Sequence, residues 1–166
     1  TNGSVSMMRI YRDIRFSKDK TPYKTNVAMM FWQGESKKTA LSSLGLQITP
    51  DDGGGMAGPF GFEKAALERY RQAVVSEAGH ELVKIIAQIQ AAGDYTLNGT
   101  HYKRTPRGFD MPNDARDPYL LHNGLWISSP TIPLAVVTSA NFVDVMLNHF
   151  ETMAPLHNWL VQVMSA

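Results

Sequence analysis

Strand-forming segments follow one another early in the chain with no helical segment between them. Residues 26–32 form an apolar run of strand length, fitting a strand that is buried on both faces or paired with the preceding segment. Residues 44–49 form another short strand, and the polar stretch 34–43 between the two is predicted to be an exposed loop. Residues 8–16 alternate between apolar and polar side chains as a half-buried strand does, with only Arg12 out of pattern. Parallel neighbours would need crossover helices, so this order predicts an α+β fold with a mainly antiparallel sheet.

Paired amphipathic helices are predicted to cover one face of that sheet. Apolar residues recur at steps of three and four over residues 62–78, and the same pattern returns in a second helix. Gly79 is predicted to end the first helix and Gly93 the second. A further helix near the C terminus contains Pro155, which is predicted to kink it or to begin another helix.

Past the paired helices, the sequence predicts a hairpin, a long loop, a strand and the last helix. Asn98-Gly99 between β-prone residues is a strong hairpin signal. Residues 104–118 hold three prolines and are predicted to form a long irregular loop. Strand character returns over residues 119–128, and Thr138 or Ser139 is predicted to cap the last helix. A chain of 166 residues suits a single domain, here residues 1–166.

Positive charge is concentrated between residues 9 and 26. This stretch has six basic and two acidic residues, whereas the whole chain has a formal net charge of only +1. Arginines that flank an aspartate at two-residue spacing suit either a fixed lattice of ion pairs or the gripping of an anion. Asp19 to Tyr23 contains Pro22 and is predicted to form an ordered turn, which makes the link to the next strand hairpin-like.

The same stretch carries a family resemblance. Its spacing, Arg-x-x-Arg-Asp-x-Arg-Phe-x-x-Asp-Lys-x-Pro-Tyr-Lys-x-Asn, is filled by Arg9, Arg12, Asp13, Arg15, Phe16, Asp19, Lys20, Pro22, Tyr23, Lys24 and Asn26. On these positions the chain resembles a widespread, mainly bacterial family known as domain of unknown function 2461. The stretches 53–59 and 104–110 are also similar to that family, and the resemblance runs from about residue 7 to the end.

The resemblance implies no known activity, substrate or cofactor. Members of the family carry a further, largely helical segment before the motif, and only eight residues precede Arg9 here. We therefore expect part of the domain to be missing from this chain. If that part covers one face of the sheet, the exposed apolar surface would favour a homo-oligomer or a complex with the missing segment.

The charged stretch is the first candidate for a binding site. In the functional interpretation, cationic side chains hold phosphate or carboxylate oxygens while Asp13 and Asp19 orient the arginines or act as a catalytic base. The alternative is a structural lattice that pins the hairpin to the sheet. The candidate anion-binding residues are Arg9, Arg12, Arg15, Lys20, Lys24, Arg104 and Arg107, with Tyr23, Asn26 and Gly55 in supporting positions.

Arg104 and Arg107 belong to a second basic cluster in the long loop. The functional interpretation has this loop close over the first cluster and supply Arg107 to the same anion. The alternative is a loop anchored by Phe109, with both arginines solvated or capping carbonyl groups.

Residues 53–58 spell G-x-G-x-x-G, a pattern found in dinucleotide-binding loops. The signal is weak here, because Asp51 and Asp52 would repel a pyrophosphate and Pro59 removes a backbone donor. The glycines are predicted to form a flexible loop or a backbone that lies close to another element. No cofactor is predicted.

Several site classes lack support in the sequence. Zero cysteines exclude disulfides and thiolate sites, and the five histidines have no metal-ligand spacing, so no metal is predicted. His149 is predicted to be a structural histidine within an apolar stripe. No apolar run reaches the length of a membrane span and the first residues do not resemble a signal peptide, so we expect a cytoplasmic protein with no membrane partner.

Three functions therefore compete. The first is binding or processing of a small anionic molecule by the arginine, aspartate and lysine cluster, and whether the chain is an enzyme stays open. The second is a structural or protein-interaction module in which the motif only staples the fold. The third is nucleic-acid binding through the same basic residues, which the near-zero net charge disfavours.

Overall fold

In the computed structural model, which describes residues 6–32, 42–109, 111 and 113–165, six strands form one antiparallel sheet. The strands are β1 (Val27–Trp32), β2 (Ser43–Ile48), β3 (Asp52–Ala57), β4 (Thr96–Thr100), β5 (His122–Ser128) and β6 (Ile132–Pro133). Their order is β1-β2-β3-β5-β4, and the short β6 pairs with β3 beyond the end of β5. The predicted α+β fold with an antiparallel sheet is confirmed.

The described residues form four α-helices, two of them the successive amphipathic pair that the sequence predicts. The helices are α1 (Lys64–Val75), α2 (Glu77–Ala91), α3 (Leu134–Val137) and α4 (Phe142–Ser165), and a 3-10 helix (Asp117–Leu121) precedes β5. Helix α4 continues through Pro155, so no separate helix begins there. It starts later than predicted, and the Ser139 hydroxyl accepts a hydrogen bond from the backbone N–H of Asn141 just before the helix.

The helices pack on one face of the sheet. Side chains alternate along each strand. Ala57 and Ile127 therefore point to the face on which helix α4 packs, whereas Met56 and Trp126 point to the opposite face. No described helix packs over that opposite face. The largest fully buried side chains lie in the helical layer and on the sheet face beneath it: Tyr70, Val74, Leu82, Ile86, Ile89, Leu120, Leu125, Ile127, Met153, Leu156 and Leu160.

The predicted strand over residues 8–16 is wrong. Only two isolated bridges form, Met7 with Met29 and Tyr11 with Tyr23, so this segment crosses the edge of β1 and then leaves the sheet. The apolar side of the predicted alternation has no surface to pack on, and Phe16 is 94% exposed. Residues 9–26 instead form a looped extension at the edge of the sheet, which we call the arm.

The arm nevertheless has the hairpin-like link that the sequence predicts. The backbone N–H of Arg12 donates to the carbonyl of Pro22 (2.9 Å), and the N–H of Lys24 donates to the carbonyl of Ile10 (2.9 Å). At the turn, a carboxylate oxygen of Asp19 accepts from both the backbone N–H and the hydroxyl of Thr21, each at 2.9 Å. Two backbone hydrogen bonds and one side-chain turn therefore close the arm on itself.

Strand β1 is an edge strand. It pairs with β2 along its full length and touches the start of the chain only through the bridge at Met7 and the hydrogen bond from Met8 N–H to Ala28 carbonyl (2.8 Å). Val27 and Phe31 stay 44% and 38% exposed. Of the two settings predicted for this run, burial on both faces is therefore wrong, and pairing with the preceding segment is limited to the contacts of Met7 and Met8. Of the loop predicted over residues 34–43, residues 34–41 lie outside the described part of the chain, and Ser43 already belongs to β2.

The glycine-rich run is strand β3 and not a loop. A Cβ atom on Gly55 would lie 2.9 Å from Met146 Cε of helix α4, and one on Gly53 would lie 2.9 Å from Val137 Cγ2 of helix α3. The glycines therefore let the helices approach the backbone of the sheet closely, as the second interpretation of the run predicts. Because the glycine backbone is paired in the sheet and α1 starts only at Lys64, the run does not form a phosphate-binding turn.

Two other glycine predictions are wrong for the same physical reason. Gly79 lies inside α2, and the boundary between α1 and α2 is Ser76, whose hydroxyl accepts a hydrogen bond from Ala78 N–H. Asn98-Gly99 lies within β4 at a register irregularity and does not form a hairpin turn. A Cβ on Gly99 would fall 2.0 Å from the carbonyl oxygen of Gly124, and its φ is +103°. Both positions are glycine because another backbone lies against them.

We expect Gly79→Ala to destabilise the fold strongly even though alanine favours helices. The new Cβ would lie 1.8 Å from the carbonyl oxygen of Val74, so the junction of α1 and α2 would have to move. The expected loss of unfolding free energy is about 2–3 kcal/mol in urea denaturation. Gly54→Ala is the control, because its Cβ meets nothing closer than 3.7 Å and should leave stability within about 1 kcal/mol of wild type. Equal effects of the two variants would contradict this account of Gly79.

Candidate functional site

The arm holds most of the predicted site residues, and its two aspartates are both paired with arginines. The guanidinium group of Arg15 donates two hydrogen bonds to the carboxylate of Asp13, from Nη2 to Oδ2 at 2.7 Å and from Nε to Oδ1 at 3.0 Å. We call this bidentate pair a fork. Asp19 is paired with Arg12 at the turn. Internal ion pairs thus use both carboxylates of the arm, as the structural alternative requires.

These contacts also set the protonation of the two aspartates. The hydrogen bonds from the Arg15 side chain and backbone lower the pKa of Asp13, and the nearby charge of Arg9 adds to this effect. The N–H and hydroxyl of Thr21 lower the pKa of Asp19. Carboxylates with lowered pKa values are ionised and weakly basic at neutral pH. The arrangement suits orientation of the arginines better than a catalytic base.

Four cationic side chains remain in the arm after these pairs form: Arg9, Lys18, Lys20 and Lys24. Lys20 donates to the carbonyl oxygen of Ile14 at 2.8 Å, which fixes its position but leaves its charge uncompensated. Among the described residues, no carboxylate lies within ion-pair distance of any of the four. The arm therefore carries a surplus of positive charge that its own acids do not neutralise.

The predicted supporting residues divide between the arm and the sheet. The rings of Tyr23 and Tyr11 lie 5.4 Å apart, and both are more than half exposed. Asn26 is half-buried immediately before β1. Gly55 lies in β3 with its open side against α4, so it supports the fold and is not part of the arm.

The second basic cluster lies far from the arm. Arg104 and Arg107 follow β4, whereas the arm joins β1 at the other edge of the sheet, four strand spacings or about 19 Å away. The arm and the loop also leave the sheet at opposite ends. The arm joins β1 at Val27, which is level with Gly53 near the start of β3. The loop follows β4, whose partner β5 is level with the end of β3, because Ile127 pairs with Ala57. The structure does not bring Arg107 to the first cluster.

The loop that carries these arginines is anchored as the alternative interpretation predicts. Phe109 packs against the core, and Arg104 and Arg107 are exposed. The hydroxyl of Thr105 donates to Asp117 at 3.0 Å, which ties the loop to the 3-10 helix. Residue 110, the last of the predicted cluster, lies outside the described residues.

Sequence reasoning missed the most enclosed arginine of the loop, Arg116. It makes the same fork with Asp114 that Arg15 makes with Asp13, with Nη2 to Oδ2 at 2.7 Å and Nε to Oδ1 at 2.8 Å. Its remaining nitrogen, Nη1, donates to the carbonyl oxygens of Val75 and Ser76, so it caps the end of α1. The Asp-x-Arg spacing, which occurs at both places, was the available signal.

Three histidines are each hydrogen bonded to a hydroxyl group, and of these His122 and His157 are buried whereas His149 is half-buried. Nδ1 of His157 lies 2.9 Å from the Oγ of Ser42, and both residues are buried. Nδ1 of His149 lies 2.8 Å from the hydroxyl of Tyr95, which confirms the prediction of a structural histidine. His122 lies 3.2 Å from Thr100. Since Ser42 is fully enclosed, its contact with His157 serves the fold and not nucleophilic chemistry.

These histidines predict a loss of stability on mild acidification. Burial lowers the pKa values of His122, His149 and His157 below the usual 6.5, so each stays neutral in the folded protein and binds a proton on unfolding. Their contribution is complete above about pH 6.5 and is lost as pH falls through the lowered values. We expect a lower unfolding free energy at pH 5.5 than at pH 7.5 in urea titrations, and a smaller difference in His157→Gln. Equal stability at the two pH values would contradict this.

The two Asp-x-Arg forks predict opposite outcomes for matched substitutions. The Arg15 side chain is 75% exposed, so Arg15→Ala should leave the urea midpoint close to that of wild type. The Arg116 side chain is 11% exposed and caps a helix, so Arg116→Ala should lower the midpoint clearly. If Arg15→Ala unfolds the domain, the arm is a structural staple and not a site.

Comparisons with known proteins identify a family but no activity. A family described as "Conserved hypothetical protein (DUF2461)" matches residues 1–159. No curated protein and no solved structure matches the sequence. Within the described residues, no helix combines the length and the apolar character needed to cross a bilayer, and no three metal-ligating side chains come together.

Proposed function

Because the chain belongs to the DUF2461 family, whose description assigns no activity, we propose from its surface chemistry that it binds a small phosphate- or carboxylate-bearing molecule through the arm. The protein would act as an anion-binding protein, with the arginines and lysines of the arm as the ligands of the anion. Arg15, Arg9 and Lys24 are the residues we assign first to that role.

The observation that carries the proposal is the unused nitrogen of Arg15. In Arg116, the fork with an aspartate leaves Nη1 free to donate to two oxygen atoms, and carbonyl groups of the chain supply them. In Arg15, the same fork forms, but Nη1 has no acceptor among the described residues. Asp13 therefore holds in place a guanidinium group whose outward donor is available to an oxygen of a ligand.

The charge distribution supports the same conclusion. The rest of the chain has ten basic and thirteen acidic residues, so the net positive charge of the chain lies in the arm, which therefore favours the approach of anions. Arg9, Lys18, Lys20 and Lys24 add cationic groups that no described carboxylate neutralises. Because these groups are exposed, binding should weaken as salt rises.

Nucleic-acid binding through the arm is the second candidate, and one observation favours it. Tyr11 and Tyr23 are exposed side by side, and exposed aromatic rings are the groups on which unpaired bases stack. A single strand would cover several cationic groups at once. Its affinity would then fall steeply with salt, with a log–log slope that reports several phosphates, whereas a small anion would give a shallow slope.

We expect inorganic phosphate to bind the wild-type protein in isothermal titration calorimetry at low salt. Arg15→Ala should raise Kd about tenfold, which corresponds to one charge-assisted hydrogen bond. The matched control is the double variant Arg104→Ala, Arg107→Ala, which removes two exposed arginines at the far corner of the sheet and should leave Kd unchanged.

The controls also define what would contradict the proposal. Phosphate that fails to bind, together with acetate and citrate that fail as well, would remove the anion site. An equal loss in the far-corner variant would show that affinity follows net charge and not the arm. A steep salt slope with a short single-stranded oligonucleotide, in the absence of phosphate binding, would favour the second candidate.

A further inference from the structure

The face of the sheet opposite the helices carries a groove of about 370 Å³. It crosses β1, β2, β3 and β5, and it is lined by four methionines, four glycines and two aromatic side chains. A volume in this range is typical of small-molecule sites and small for a protein interface. The lining residues used below are Met8, Met30, Gly54, Met56, Phe60 and Trp126.

The floor of the groove is open because of Gly54. A Cβ added there would meet nothing closer than Ser129 Oγ at 3.7 Å, so the space above this glycine is empty. Beside it, Met56 lies over Gly45, where a Cβ would come within 2.8 Å of the methionine sulfur. A flat floor between flexible methionine side chains fits a planar apolar group and adjusts to its shape.

The end wall of the groove is aromatic and partly exposed. Phe60 stands edge-on to Trp126 with ring centroids 5.1 Å apart, and Phe60 is 62% exposed. Exposed aromatic edges beside an unfilled floor lose contact with water when an apolar ligand covers them. A ligand with an aromatic ring system should therefore gain the most binding free energy from this groove.

The charges around the groove place the anionic end of such a ligand outside it. Asp52 is the one charged residue among the described residues of the lining, and its carboxylate already accepts a hydrogen bond from the hydroxyl of Thr49 at 2.6 Å. An anionic group inside the groove would be repelled by Asp52. Met8 lines the groove and is followed directly by Arg9, the first cation of the arm, so a compensating charge lies one residue, about 3.8 Å along the chain, from the lining.

We propose that the ligand of the arm is an amphipathic small anion, whose aromatic or other flat apolar body lies in this groove and whose phosphate or carboxylate is held by the arm. The inference rests on the proposed function, because it names the class of molecule that the arm binds. It adds a second contact, the open sheet face, that anion binding alone does not need.

The test uses 2-naphthoate and inorganic phosphate as probes of the full chain labelled with 13C at the methionine methyl groups. In methyl NMR spectra, 2-naphthoate should shift the signals of Met8, Met30 and Met56, whereas the buried Met164 should not move. Of these three signals, phosphate should shift only that of Met8, which adjoins the arm. This measurement needs no variant, so it stands even if a substitution disturbs folding.

Two substitutions of Gly54 then separate the groove from the arm. Gly54→Leu fills the floor and should raise the Kd of 2-naphthoate at least tenfold while that of phosphate stays unchanged. Gly54→Ala adds a single methyl group, so it should raise the Kd of 2-naphthoate less than Gly54→Leu does while that of phosphate stays unchanged. Arg15→Ala should weaken both probes, because both use the arm.

Each other outcome has a definite meaning. If 2-naphthoate binds but shifts no groove methionine, the groove inference is overturned while the proposed function stands. If 2-naphthoate shifts the groove methionines but Arg15→Ala leaves its Kd unchanged, the link between groove and arm is overturned. If neither probe binds, the proposed function itself fails.

Discussion

The close packing of helices α3 and α4 on the glycines of β3 is the constraint on which the rest of the structure depends. Side chains at Gly53 or Gly55 would meet Val137 and Met146 within 2.9 Å, so this face of the strand has to be bare for the helices to lie against it. Behind α4, the indole N–H of Trp159 donates to the carbonyl of Ala78 in α2 at 3.0 Å. The helical layer is therefore fixed to one side of the sheet, and the opposite side stays without a helix among the described residues.

The two Asp-x-Arg forks show that one local motif can stand in two different surroundings. An arginine two residues after an aspartate folds back on it with nearly the same geometry in the arm and in the loop before β5. The fork forms between residues close in sequence, but its consequence depends on which groups lie within hydrogen-bonding distance of Nη1. At Arg116 the end of a helix stands there and the arginine caps it. At Arg15 solvent stands there, so the same chemistry is available to a ligand.

The sequence predicted the fold better than the site, and the reason lies in the range of the interactions involved. The antiparallel sheet, both amphipathic helices and the structural role of His149 follow from periodicity and local chemistry, which operate within a few residues. The glycine errors have a different origin. Glycines at 53–55, 79 and 99 were assigned to loops, helix ends and turns, but Gly53, Gly55 and Gly99 are crowded by elements distant in the chain, and Gly79 by the end of the preceding helix. The neighbouring sequence does not distinguish a glycine that is needed for a turn from one that is needed because other backbone or side-chain atoms pack against it.

The placement of the charged residues divides along the same line, while their role in binding stays a prediction. The ion pairs of the arm join residues two and seven apart, so the charged pattern was sufficient to predict that Asp13 and Asp19 pair with arginines of the same stretch. The separation of Arg107 from Arg15 depends on strand order, which the pattern of charges does not contain. The groove could not be predicted from the sequence for the same reason, because residues 8, 54 and 126 come together only through the pairing of four strands.

Under the proposed function, the two faces of the sheet also divide stability from binding. The helical face buries the large side chains and holds the folding free energy, whereas the arm is joined to the sheet edge by few backbone hydrogen bonds and keeps its apolar residues exposed. Segments with so few buried contacts open at low free-energy cost. A ligand that contacts both the arm and the groove binds only when the arm lies against β1. By linkage, such a ligand stabilises that closed arrangement in proportion to RT ln(1 + [L]/Kd). Under the proposed function, the surplus charge of the arm would therefore do more than attract an anion, because it would couple the order of the sheet edge to the presence of that anion.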